Sequence, residues 1–165
     1  MKKKIKRSDL FALLNAFEAA KDLQGVKFGY AVAKNKANIL AERKCVDEAG
    51  KPSKEYFEFD KRRLELCEEH CDKENGKPVK IFNPITRQEV YAGLDGNKKF
   101  NAAVDALTEE YKDVTEAFKQ QREEVNKLLD EEIEFDFYMV EFSEIPENIT
   151  AGQMAGLEPI INPPE

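Results

Sequence analysis

Apolar residues between Phe100 and Leu128 recur in alternating steps of four and three: Phe100, Val104, Leu107, Tyr111, Val114, Phe118, Gln121, Val125 and Leu128. Only Gln121 breaks the apolar series, and Lys, Glu, Asp and Gln fill most of the positions between. That spacing keeps a narrow seam on one side of a helix, the pattern of a coiled-coil face. The helix is expected to start after Asp95-Gly96-Asn97 and to run to about Glu132. At 1.5 Å per residue its ~36 residues would span roughly 54 Å. So long a helix needs cover. The nearest candidates are two earlier helices folding back antiparallel across the turn at 72–96.

Those earlier helices follow from the same periodicity. A first helix is expected from about Ser8, as cap, to Leu23, with Leu10, Leu13, Leu14 and Phe17 on one face and Gly25 as its left-handed stop. A second runs from Val26 towards Ala49, carrying Phe28, Val32, Ile39 and Val46, with Asn35 and Glu42 spotting that seam. Gly50-Lys51-Pro52-Ser53 interrupts the path, and Ser53 caps a third helix whose apolar side reads Phe57, Leu64, Cys67 and Cys71. Asp72 to Pro78, with Asn75-Gly76, is turn chemistry. Val79 to Tyr91 reads as a short hairpin or an irregular loop.

After the long helix the period changes. Ile133, Phe135, Phe137 and Met139 alternate with Glu134, Asp136, Tyr138 and Val140, which predicts a strand over 133–142. A lone strand leaves its backbone unsatisfied, so it must pair with 79–91, with a second copy, or with a different partner. Thr150-Ala151-Gly152-Gln153 is a capping box for a short helix bearing Met154 and Leu157, and Pro159, Pro163 and Pro164 close the chain. The expectation is a helix-rich α+β protein, an antiparallel helical hairpin or coiled coil with a small β-sheet. It is read as a single domain over 1–165: basic arm and helix at 1–25, helical hairpin at 26–132 with a connecting loop or β-hairpin at 76–96, strand and short helix at 133–165.

Composition adds constraints. With 36% charged residues, much of the surface must be solvated helix face, and 41% hydrophobic residues still suffice for a core. Charge is uneven: residues 1–40 carry a net +6, leaving −13 for the rest of a chain whose net charge is −7. The basic run Lys2 to Arg7 could grip nucleic acid or an acidic protein surface, or serve only as a solubilising tail. Lys2 to Leu14 imitates a signal peptide, but Asp9, Asn15 and Glu18 spoil the apolar run. No stretch approaches the ~20 apolar residues of a membrane span. A cytoplasmic protein is expected. Three cysteines without an export signal argue against a disulfide framework.

Catalytic chemistry is hard to find. No phosphate-binding glycine motif is present, and His70 is the single histidine. Cys67, His70 and Cys71 share a helix face, and Cys45 could add a fourth zinc ligand from a packed neighbour. Buried cysteine also packs as a small apolar residue, and that is the favoured reading. No cofactor and no enzymatic activity are expected. The carboxylates from Glu109 to Asp136 could imitate a phosphate backbone, although charge on the outer face of a coiled coil is the ordinary condition.

Several phrases, read in order, resemble a group of small proteins of tailed bacteriophages that carries no assigned activity. They are Tyr30 to Asn35, Lys51-Pro52-Ser53, Asp72 to Pro78, Leu128 to Phe135, and Ile145-Pro146 with Ile149-Thr150. The resemblance implies a phage or prophage protein made inside a bacterium, cytoplasmic or in the virion, and transfers no functional residue. Together these readings favour a non-enzymatic protein–protein interaction protein, a virion or assembly component. Its contact residues would be Phe100, Val104, Leu107, Tyr111, Val114, Phe118, Val125, Leu128, Phe135 and Phe137, with a protein partner or a second copy. The alternatives are an inhibitor of a host protein acting as an acidic decoy, and a metal- or nucleic-acid-binding protein using Cys67, His70, Cys71 and the Lys2–Arg7 arm.

Overall fold

The computed structural model describes residues 1–163; Pro164 lies outside the described residues. The protein is helix-rich, with small antiparallel two-stranded sheets. Its residues cluster into two compact units. One comprises Met1–Lys51 and the chain from Arg122 onward; the other is Pro52–Gln121.

The first unit opens with β1 (Lys2–Lys6), which runs directly into α1 (Arg7–Ala19). The Arg7 N–H still donates to the Glu131 carbonyl at 3.0 Å, so strand pairing extends into the first helical residue. That leaves no place for the expected Ser8 cap: Lys6 is the capping residue and makes no side-chain cap bond. Nor does α1 reach Leu23. Leu23 turns in to pack on the core, and Gly25, at φ 147°, instead precedes α2 (Val26–Ala49). The α2 seam of Phe28, Val32, Asn35, Ile39 and Val46 is buried as its period predicts. With Leu10, Leu13 and Phe17 of α1, most of it forms one apolar core that Phe137, Val140, Leu157 and Ile160 complete.

Of the strand predicted over 133–142 only the first part forms, as β6 (Glu132–Asp136), and its partner is neither 79–91 nor a second copy but the start of the same chain. It pairs antiparallel with β1, in the register Lys2↔Asp136, Lys4↔Glu134, Lys6↔Glu132. The basic arm is therefore a strand, held by a cross-strand row of opposite charges. A parallel bridge, Val140↔Ile161, ties the following segment to the end of the fold. Thr150 makes both bonds of the predicted capping box with Gln153 at the start of α6 (Ala151–Leu157). Gly156 lets α6 lie on α1, since a Cβ there would sit 3.0 Å from the Ala16 methyl.

The second unit begins with α3 (Lys54–His70), capped by the Ser53 hydroxyl as predicted. Two small hairpins follow. Lys73–Glu74 (β2) and Lys77–Pro78 (β3) are joined by Asn75 and Gly76, both at positive φ, as a tight two-residue turn requires. Lys80–Asn83 (β4) pairs with Gln88–Tyr91 (β5), which resolves the 79–91 segment as a hairpin. Its loop is an Asx turn, with the Asn83 carboxamide oxygen accepting from the N–H groups of Ile85 and Thr86.

The heptad segment is not one unbroken helix. It divides at Tyr111 into α4 (Lys98–Glu110) and α5 (Lys112–Asp130), the latter passing from one unit into the other. The Thr108 hydroxyl bonds back to the Val104 carbonyl at 2.8 Å just before the joint, a contact that tends to bend helices. Asn97 starts α4, its side chain accepting from the N–H groups of Lys99 and Phe100. The same carboxamide donates to the His70 carbonyl at 3.2 Å, fastening the end of α3 to the start of α4.

Candidate interaction surfaces

Every heptad position is buried or partly buried, while most of the residues between are exposed. Within the second unit the seam meets α3 in antiparallel order. Phe100 faces His70 at 6.1 Å between ring centroids, Tyr111 faces Phe59 at 5.7 Å, and Phe118 faces Tyr56 at 3.8 Å. Leu107 is buried, beside Leu66 in one groove, and Arg62 donates to Glu110 at 2.6 Å with its guanidinium over the Tyr111 ring. Val104, partly buried, lies on this same helix. Val114, Phe118 and Gln121 line a groove with Ser53 and Glu55.

Aromatic pairing also fixes the phase of α3. It buries Phe59 and Cys67, whereas the expected Phe57 and Leu64 face solvent, Phe57 at 54% exposure. Rings at Tyr56 and Phe59 have aromatic partners on the seam. For Phe57 and Leu64 no such partner exists among the described residues.

In the first unit, Val125 and Leu129 share a groove with Phe11, Val46 and Gly50. A Cβ at Gly50 would lie 3.3 Å from the Val125 side chain, so a glycine there permits the approach. The Leu128 carbonyl accepts from Arg7 at 2.5 Å and from the Glu131 N–H at 3.4 Å, which places a cation at the helix C-terminus. Phe135 and Phe137 pack on each other at 4.8 Å, and Phe137 belongs to the core. The residues expected to meet a partner thus largely meet this chain.

The proposed metal cluster looks different in three dimensions. Cys67 and Cys71 are buried; the Cys71 thiol donates to the Glu68 carbonyl at 3.4 Å. Burial pushes the Cys67 thiol pKa up, which disfavours the thiolate that a metal needs. Cys45 is exposed and lies in the other unit. Among the described residues no group of three or more His, Cys, Asp or Glu is placed to hold an ion.

The charged features are mostly paired. Lys2 lies 3.4 Å from Glu134, Lys3 donates to the Pro159 carbonyl, and Arg7 joins Glu42 and Glu131. Glu131, part of the acidic stretch, is therefore engaged, while Glu123 and Glu124 are exposed.

Two surfaces lie outside the periodic signals. The β4–β5 hairpin exposes Ile81, Phe82 and Ile85, Ile85 at 91%. The sequence does show this apolar run, but a strand pattern alone does not say which side stays uncovered. The other surface is the β1–β6 ribbon, whose solvent face carries lysines on one strand and carboxylates on the other. No helix among the described residues is long and apolar enough to cross a membrane. No family model, curated protein or solved structure matches this chain.

Proposed function

We propose that this is a non-enzymatic interaction protein, a virion or assembly component of a tailed phage, working in the bacterial cytoplasm or in the particle. The observation that carries the reading is the hairpin of exposed Ile81, Phe82 and Ile85, since clustered exposed apolar side chains mark contact surfaces. The phage setting rests on the ordered phrases from Tyr30 to Thr150. The heptad seam acts on this reading as a short coiled-coil spine between α3 and α4–α5, and the hairpin and ribbon it supports make the contacts. Pairing of the basic arm with Glu132, Glu134 and Asp136 weighs against a nucleic-acid clamp, and engagement of Glu131 weighs against an acidic decoy.

The test is to replace Ile81, Phe82 and Ile85 together by serine in the phage that encodes the chain. The wild-type chain should co-purify with particles or assembly intermediates and the triple variant should not, with the fold intact by circular dichroism. A wild-type chain absent from every particle and intermediate would overturn the reading.

A further inference from the structure

We infer that the β1–β6 ribbon joins copies of this chain head to tail, the β1 edge of one copy adding to the β6 edge of the next. This names a partner for the interaction protein proposed above and rests on that reading.

The ladder shows which groups are free. Arg7 donates to the Glu131 carbonyl and Phe137 to the Met1 carbonyl, each at 3.0 Å, so pairs 7/131 and 1/137 are hydrogen-bonded. Antiparallel pairs alternate, which makes 3/135 and 5/133 the other bonded pairs. The N–H and C=O groups of Lys2 and Lys4 and the N–H of Lys6 then point out from one edge, and the N–H and C=O groups of Glu132, Glu134 and Asp136 from the other; the Lys6 carbonyl, at the N-cap of α1, takes the first bond of that helix. Apart from that carbonyl, no third strand and no further backbone hydrogen bond reaches either edge among the described residues.

Charge selects the occupant. Side chains of those same six residues are exposed on the solvent face. Joining two β1 edges would set lysine against lysine, and joining two β6 edges would set carboxylate against carboxylate. Only β1 against β6 puts a lysine opposite a carboxylate at each position, repeating across copies the register that Lys4 and Glu134 already hold within one. Lysine on a free edge ordinarily deters strand addition. Here it deters every like pairing and leaves the complementary one. On the other face Ile5, Ile133 and Phe135 stay only partly buried, so a joined sheet would also cover more apolar surface. The contact uses two different edges, so it is heterologous and repeats until a ring closes or a filament grows.

Proline separates the edges, because it removes one outward N–H and is tolerated where that group faces solvent. Lys4→Pro blocks the β1 edge, and Glu134→Pro blocks the β6 edge. In sedimentation velocity, wild-type mass should rise with concentration above the 18.9 kDa chain and fall back at high salt. Each variant alone should stay at chain mass, and the equimolar mixture should stop at a dimer. Circular dichroism checks that both variants fold. If either does not, amide exchange on wild type reads the same edges, with protection at Lys4 and Glu134 rising with concentration.

A wild-type chain that keeps the 18.9 kDa mass at every concentration overturns the inference, including where it binds an acidic or basic peptide strand instead. Variants that associate as wild type does overturn it as well. Either result leaves the interaction reading to its own particle test, and a chain absent from particles can still self-associate.

Discussion

The buried carboxamide of Asn35 binds both backbone groups of Tyr138: it accepts from the N–H at 3.0 Å and donates to the C=O at 2.8 Å. Asn35 is wholly inaccessible, the buried polar residue of the α2 seam. Its side chain does for Tyr138 what a neighbouring strand would do, just after β6 ends. Asn35→Leu would keep the size and remove the partner of both backbone groups. The expected loss is about 2 kcal/mol, from two partly buried groups left unpaired. Urea unfolding of the variant checks it, and a change below about 0.5 kcal/mol would show that Tyr138 finds other partners.

Arg7 ties three segments of the same unit. At 12% side-chain exposure it reaches Glu42 on α2 at 2.9 Å, Glu131 at 3.1 Å and the Leu128 carbonyl at 2.5 Å. Arg7→Met should cost about 2 kcal/mol, since it removes charge-assisted bonds from a mostly covered site. Arg7→Lys should recover less than half of that. An ammonium is a point charge and lacks the planar fork that serves several acceptors together. Thermal unfolding of both variants separates the geometry of the guanidinium from its charge alone.

Sequence periodicity found most helices of this protein because buried faces leave a mark at every third or fourth residue. The Ser53, Asn97 and Thr150 caps were legible for a similar reason: a cap is a local device. Strand β1 was not legible. Lys2 to Lys6 offers Ile5 as its single apolar residue, and its partner lies more than a hundred positions away at Glu132–Asp136. What specifies the pairing is a match of charge at period two between distant segments, which neither segment displays by itself. The phase of α3 failed for a related reason. Phe57 and Phe59 are equivalent by composition, and the rings across from them, Tyr111 and Phe118, decide which one turns inward.

That phase gives a sharp comparison. Phe59→Ala removes a buried ring that packs against both Tyr56 and Tyr111, and should cost about 3 kcal/mol. Phe57→Ala, two residues away on the exposed side, should change stability by less than about 0.5 kcal/mol. Equal losses in chemical denaturation would mean that α3 sits in a different rotation.

Acid should weaken the first unit in a defined window. Hydrogen bonds from Lys21 and then Lys36 hold the Glu18 carboxyl down at about 2, below the ordinary 4.5. A depressed carboxylate stabilises the fold fully above its unfolded value, and the contribution is lost as pH falls from there towards 2. Wild type should therefore melt higher than Glu18→Gln at pH 6, and the two melting temperatures should converge near pH 2. Because the triad is exposed, the difference at pH 6 should be small and shrink further with added salt. A gap that widens in acid would contradict the assignment.

The three cysteines should separate by reactivity. Cys45 is exposed, while Cys67 and Cys71 are buried in the second unit, with the Cys67 thiol held in its protonated form by burial. Thiolate is the reactive species, so burial shields both cysteines and the raised pKa protects Cys67 further. A native chain should titrate one thiol rapidly with a chromogenic disulfide reagent and the other two only as the second unit opens. Denaturant should expose all three, with the slow pair following the unfolding transition. Adding zinc or a chelator should leave the slow rates unchanged if Cys67 and Cys71 serve packing. A chelator that speeds their labelling would instead make them metal ligands with His70.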